Sequence, residues 1–150
     1  MDNVQFDIDG ITPLFSWVDI SLTELCNRLC TFCPRIDPKF YPNQNLNFGL
    51  EPASKVSNEL KELNYQGGVV FCGYGEPLLY RDLDYLTNVL GDLGPIEIVT
   101  NGDPLNVKKI VKLYKSKVSQ LVISLYDGPE QILKFNDMMK MANIPETFVT

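Results

Sequence analysis

Short β-type runs and amphipathic helical runs alternate along the whole chain, and this alternation constrains the fold more than any other feature. Val18, Ile20 and Leu22 alternate with Trp17, Asp19 and Ser21, so Trp17–Leu22 reads as a strand. A proline- and asparagine-rich loop over 34–50 follows, longer than most connections in a compact domain. Pro52 suits the first turn of a helix whose apolar positions are Val56, Leu60 and Leu63. Gly67-Gly68 breaks it, and Val69–Cys72 reads as a buried strand. The cycle then repeats. Asp82 is placed to cap a helix carrying Leu83, Leu86, Val89, Leu90 and Leu93, ended by Gly94-Pro95. Ile96–Thr100 is a third strand, and Val107, Ile110, Val111 and Tyr114 mark a third helix. Leu121–Leu125 is a fourth strand, and Gly128-Pro129 opens a helix with Ile132, Leu133, Phe135 and Met139 that Asn143 and Pro145 stop. Thr147–Thr150 reads as the start of a fifth strand. Strands alternating with helices predict βαβ units and a parallel sheet. The apolar stripes are its core, and chemistry belongs on the loops at the C-terminal ends of the strands.

Composition narrows the chemistry. The 150 residues are 45% hydrophobic and 21% charged, values of one ordinary globular domain. The net charge of −6 and the lack of a basic block argue against nucleic-acid binding. No apolar run approaches the ~18 residues a membrane span needs. The N-terminal MDNVQFDIDG is acidic and unlike a targeting peptide. Four cysteines without an export signal suggest a reducing cytoplasm, where thiolates remain available to metal. There is no histidine, which removes the usual general base and the histidine-ligated metal sites.

Three of the four cysteines, Cys26, Cys30 and Cys33, fall within eight residues in the run CNRLCTFC. Their C-x3-C-x2-C spacing lets three thiols converge on one small object. A structural zinc site usually needs two separated pairs, and this chain has no second pair. Bacterial ferredoxins use a different spacing with a further cysteine before proline. A disulfide framework is poorly served by three close cysteines. A 4Fe-4S cluster normally takes four thiolates, so three would leave one iron open to a substrate or cofactor.

The triad, with the aromatic Phe32 just before its third cysteine, resembles the signature of the radical SAM superfamily. Further motifs lie at successive strand ends. The run Cys72-Gly73-Tyr74-Gly75-Glu76-Pro77 resembles the family's glycine-glycine-glutamate-proline motif, here with Tyr74 between the glycines. Thr100-Asn101-Gly102 resembles a run common in the branch that includes molybdopterin-precursor cyclases and peptide-maturing enzymes, and Ser124 matches a polar fourth-strand position. Each alone is an ordinary turn or strand residue. In order, they are specific.

The resemblance implies an α/β fold, a partial (β/α)6 barrel of radical SAM type. An eight-unit barrel takes ~250 residues, so six units need ~190. The expectation is therefore the N-terminal portion of that core over 1–150, truncated after about four βα units, with the fifth strand onward missing. It also implies a 4Fe-4S cluster on Cys26, Cys30 and Cys33, and S-adenosylmethionine chelated to the open iron. Phe32, Gly73, Gly75, Glu76, Pro77, Thr100, Asn101 and Ser124 would contact S-adenosylmethionine, with Glu76 accepting from its ammonium. Reductive cleavage would yield a 5′-deoxyadenosyl radical that abstracts hydrogen from an unknown peptide or small molecule. A flavodoxin- or ferredoxin-like donor would supply the electron. The competing reading is a non-catalytic zinc or iron–sulfur module using Cys26, Cys30, Cys33 and Cys72.

Overall fold

The computed structural model describes residues 15–150, and the acidic N-terminal run lies outside them. Four parallel strands, β1 (Trp17–Ile20), β2 (Gly68–Phe71), β3 (Ile96–Thr100) and β4 (Val118–Ile123), form one sheet in chain order. The helices α1 (Leu50–Glu62), α2 (Leu83–Leu90) and α3 (Val107–Tyr114) connect successive strands, and α4 (Glu130–Ala142) follows β4. This is the α/β architecture that the alternation predicted.

Register explains the burial. Ile20 pairs with Phe71, Val69 with Ile96, Ile98 with Leu121 and Thr100 with Ile123. Side chains alternate across a strand, so Ile20, Val69, Phe71, Ile96, Ile98, Leu121 and Ile123 share one face. All are buried in a single core with Ala53, Leu60, Leu86, Leu90, Ile110 and Phe135 from the four helices. Asp19, Val70, Glu97, Val99, Gln120 and Val122 occupy the other face and are only partly covered or exposed.

Element bounds differ from the sequence reading where tertiary pairing intervenes. β1 stops at Ile20 because the next residues pair elsewhere. The Leu22 carbonyl accepts from the Phe48 N–H at 2.8 Å, and Thr23 bridges Asn47 antiparallel. β2 and β4 end before Cys72 and Leu125, and Leu125 turns outward. Asp82 occupies the N-cap of α2, but its side chain makes no capping bond. The helix ends at Leu90, leaving Leu93 buried in the following turn. The expected fifth strand is largely a 3-10 turn, Glu146–Phe148, entered at Pro145. Its Phe148 is buried edge-on against Tyr114, with ring centroids 5.1 Å apart. Only Val149 and Thr150 run parallel to β4, where the Thr150 N–H donates to Leu121 and the Thr150 carbonyl accepts from Ile123. Among the described residues no helix is long and apolar enough to cross a membrane.

Candidate functional site

The loop after β1 carries the cysteine triad, and its shape is held from both ends. The Glu24 N–H donates to Leu46, tying the loop's entry to the end of the long 34–50 connection. The Asn43 side chain clamps Cys26: its Oδ1 accepts from the Cys26 N–H and its Nδ2 donates to the Cys26 carbonyl, both at 3.0 Å. The Cys33 N–H donates to the Cys30 carbonyl at 3.0 Å, a tight turn that draws the second and third cysteines together. All are free thiols. Burial raises the Cys30 thiol's pKa, and the neighbouring Cys26 and Cys33 raise it further.

The turn after β2 forms the opposing wall. Gly73 has φ +129°, open to glycine and strained for other residues. A Cβ at Gly75 would lie 1.8 Å from the Thr23 carbonyl oxygen, so this turn can lie against the cysteine loop only without a side chain there. The Glu76 N–H then donates to the Leu25 carbonyl at 2.7 Å. Glu76 itself is 2% exposed. Its Oε1 accepts from the Leu78 N–H at 3.0 Å and the Thr100 hydroxyl at 2.5 Å, and its Oε2 accepts from the Asn101 N–H at 2.8 Å. Burial raises the Glu76 carboxyl's pKa, while the bonds from Thr100, Asn101 and Leu78 pull it back down.

Sequence reasoning missed a latch across the site. Arg28, between Cys26 and Cys30, reaches Asp103 beyond β3 through Nε and Nη2, both at 2.6 Å. It reaches Asp127 beyond β4 through Nη1 at 3.0 Å and Nη2 at 2.6 Å. Asn27 adds a bond to Asp103 at 2.9 Å and accepts from Asn101 at 2.9 Å. The guanidinium also lies 5.2 Å from the Tyr126 ring centroid. Nothing in local sequence pairs residue 28 with residues 75 and 99 positions away. Arg28 is the first cause holding both carboxyls below their ordinary range. Their contribution to stability is therefore present above that range and lost as pH falls through the depressed values. Arg28→Ala should lower stability by about 1 kcal/mol through loss of the Asp103 pair, the exposed Asp127 pair being left out of that figure. It should also speed amide exchange over 26–33. Arg28→Lys should not restore protection, because an ammonium lacks the planar fork that grips two carboxylates.

Cys26, Cys30, Phe32, Cys33, Gly73, Gly75, Glu76, Thr100, Asn101 and Ser124 all line one cleft of about 230 Å³, with Pro34, Tyr74, Val99 and Tyr126. Pro77 does not; it is buried at the start of the 3-10 turn Pro77–Leu79. The Phe32 and Tyr126 rings lie 5.6 Å apart, Phe32 largely exposed and Tyr126 less so. The Ser124 hydroxyl takes part in none of the hydrogen bonds among the described residues, whereas its N–H donates to Thr100 at 2.8 Å. Cys72 lies outside the cleft, on the sheet face that also bears Asp19 and Glu97. Cys72 is therefore not among the thiols that line the cleft. Among the described residues, no three His, Cys, Asp or Glu side chains come together as a single-ion site. Three soft thiol donors lining one cleft fit the thiolate ligation of an iron–sulfur cluster.

The family model described as Radical SAM superfamily matches residues 20–147. The S-adenosyl-L-methionine-dependent 2-deoxy-scyllo-inosamine dehydrogenase of Niallia circulans is 28% identical over 118 residues, covering 77% of this chain and 46% of that protein. A GTP 3′,8-cyclase of Rhizobium leguminosarum bv. trifolii is 27% identical over 148 residues, covering 89% of this chain and 40% of that enzyme. The crystal structure of BtrN in complex with AdoMet and 2-DOIA shares the fold with a TM-score of 0.76 at 23% identity, over 91% of this chain and 56% of that one. The chain thus spans less than half the length of the curated relatives it matches.

Proposed function

This chain belongs to the radical SAM superfamily, and from that premise we propose that it is the N-terminal part of an enzyme that binds a 4Fe-4S cluster and S-adenosylmethionine in the strand-end cleft. The observation that carries the reading is the meeting of the cysteine loop, the Gly73–Glu76 turn and the ends of β3 and β4 on that one cleft. Cys26, Cys30 and Cys33 would hold the cluster. When bound, the cluster supplies one electron for reductive cleavage of S-adenosylmethionine, giving methionine and a 5′-deoxyadenosyl radical that abstracts hydrogen from substrate.

The chain's own residues bind and orient. An ionised carboxylate offers about four acceptor sites. Three on Glu76 are taken by Leu78, Thr100 and Asn101. The one remaining on Oε2 is suited to the methionine ammonium. The Glu76 reading from sequence thus acquires a second part: the carboxylate first fixes the strand-end turns, and its spare lone pair then recognises the ligand. Phe32 and Tyr126 offer apolar ring surface to adenine, and the Ser124 hydroxyl is available to the ribose or carboxylate. The two curated relatives are named for small molecules, which favours a small molecule over a peptide as the substrate. A flavodoxin- or ferredoxin-like protein is the proposed donor and the cytoplasm the proposed compartment.

Anaerobic reconstitution with iron and sulfide should load about four irons per chain. Dithionite and S-adenosylmethionine should then give 5′-deoxyadenosine and methionine. A chain that takes up zinc but no iron–sulfur cluster, or a loaded chain that leaves S-adenosylmethionine intact, would overturn the reading.

A further inference from the structure

Arg35 is the largest fully buried side chain among the described residues, 2% exposed, two positions after Cys33. A guanidinium is always charged, and burying a charge without a partner is costly. Among the described residues Arg35 forms no ion pair, and its Nε and Nη1 have no hydrogen-bond partner. Its Nη2 donates to Asn43 Oδ1, and its Cζ lies 5.2 Å from the Tyr41 ring centroid. Glu24 and Asp37 are acids of the same region, and neither forms an ion pair among the described residues with Arg35. Glu24 adds to burial in raising the Tyr41 phenol's pKa.

Its contacts lead to the cysteine loop. Asn43, which Arg35 holds, is the residue that clamps both backbone polar groups of Cys26. Through Pro34 the same arginine is joined to Cys33. Arg35 is therefore tied to the backbone of the first cysteine through Asn43 and to the third through the chain itself, and it is not among the residues lining the cleft. Cys26 and Cys33 are two of the three thiols that would hold the cluster, and a site of that charge would supply the negative partner that Arg35 lacks among the described residues.

We propose that Arg35 is an electrostatic positioning residue: the buried counter-charge of the three-thiolate cluster site, which holds the cluster's reduction potential up. The inference rests on the functional reading above. One-electron reduction by an external donor adds one negative charge to the site, and a fixed cation bonded through Asn43 to the cysteine loop favours the reduced form. Net charge and hydrogen bonding around the sulfurs are recognised determinants of such potentials.

The test compares the unsubstituted chain with Arg35→Met and Arg35→Lys. Iron content, thermal unfolding of the metal-free chains, and anaerobic redox titration of the loaded ones are measured. Met removes an unbalanced buried charge at similar volume, so metal-free Arg35→Met should unfold at or above the original temperature. Loaded with the same iron, it should be at least tenfold harder to reduce, a fall of ~59 mV for one electron. Lys keeps the charge while losing the planar contacts to Asn43 and Tyr41, and should recover at least half of that shift. An unchanged potential in Arg35→Met would overturn the inference while leaving the functional reading intact. So would equal falls in both variants, which would assign the effect to loop geometry. A metal-free Arg35→Met chain that is clearly destabilised would also overturn it, because the arginine would then be a packing element. Failure of the unsubstituted chain to take up iron would overturn the functional reading, and the inference with it.

Discussion

Alanine at Cys26, Cys30 or Cys33 is expected to abolish cluster assembly outright, whereas Cys72→Ser leaves it intact. The asymmetry follows from placement. The first three thiols line the cleft, and Cys72 sits on the sheet beside Asp19 and Glu97. With two thiolates left, two irons of a cubane would lack a protein ligand, and the thiolate is the donor that iron–sulfur clusters require. Iron and sulfide analysis with visible absorbance decides it. Loss of the cluster in Cys72→Ser alone would restore the four-cysteine reading.

Glu76→Ala is expected to damage the fold as well as the site. It removes the shared acceptor of two backbone N–H groups and the Thr100 hydroxyl. Leaving buried donors unpaired costs about 1–3 kcal/mol each. Relief of the carboxylate's own burial offsets part of that, so a net loss of about 3–5 kcal/mol is expected, against the 5–15 kcal/mol of a typical domain. At this size that is a fall in Tm of roughly 10 °C. Glu76→Gln should be only a partial rescue, because whichever way the amide is turned its NH2 faces a backbone N–H. Thermal unfolding of the metal-free chain separates this from ligand binding. If Glu76→Ala unfolds normally and loses only S-adenosylmethionine affinity, the staple role is wrong. A pH series adds a second check. The folded carboxyl titrates above its ordinary value of 4.5, so the folded chain holds this proton longer than the unfolded one. Stability should therefore fall as pH rises through that window. The Ala variant should lack this component of the slope.

The long periodic elements were legible because each follows from a local rule. Ile96–Thr100 has the same bounds in sequence and structure, since an apolar alternation enclosed by Gly94-Pro95 and Asn101-Gly102 leaves no other reading. Asn143 ends α4 at φ +53°, as its place before Pro145 suggested. The misread ends have tertiary causes. Alternation places Leu22 in the first strand, but its carbonyl accepts from the Phe48 N–H instead. Thr147–Thr150 has strand composition, but burying Phe148 against Tyr114 turns most of it into a 3-10 segment.

By itself the sequence determined the alternation that makes a parallel α/β sheet, the three-thiol loop, and the glycines that let the β2 turn lie against it. Those are properties of spacing and residue type, and spacing is local. What only the tertiary structure decided is which side chains hold the site and in what electrical setting. Arg28 meets Asp103 and Asp127, Asn43 grips Cys26, and Glu76 is claimed by Thr100 and Asn101 before any ligand arrives. Arg35 is buried without an acid. These partners lie on different βα units or across a long loop, and no periodicity records them. Strand pairing brings such residues within hydrogen-bond reach, and burial then decides how much each charge matters.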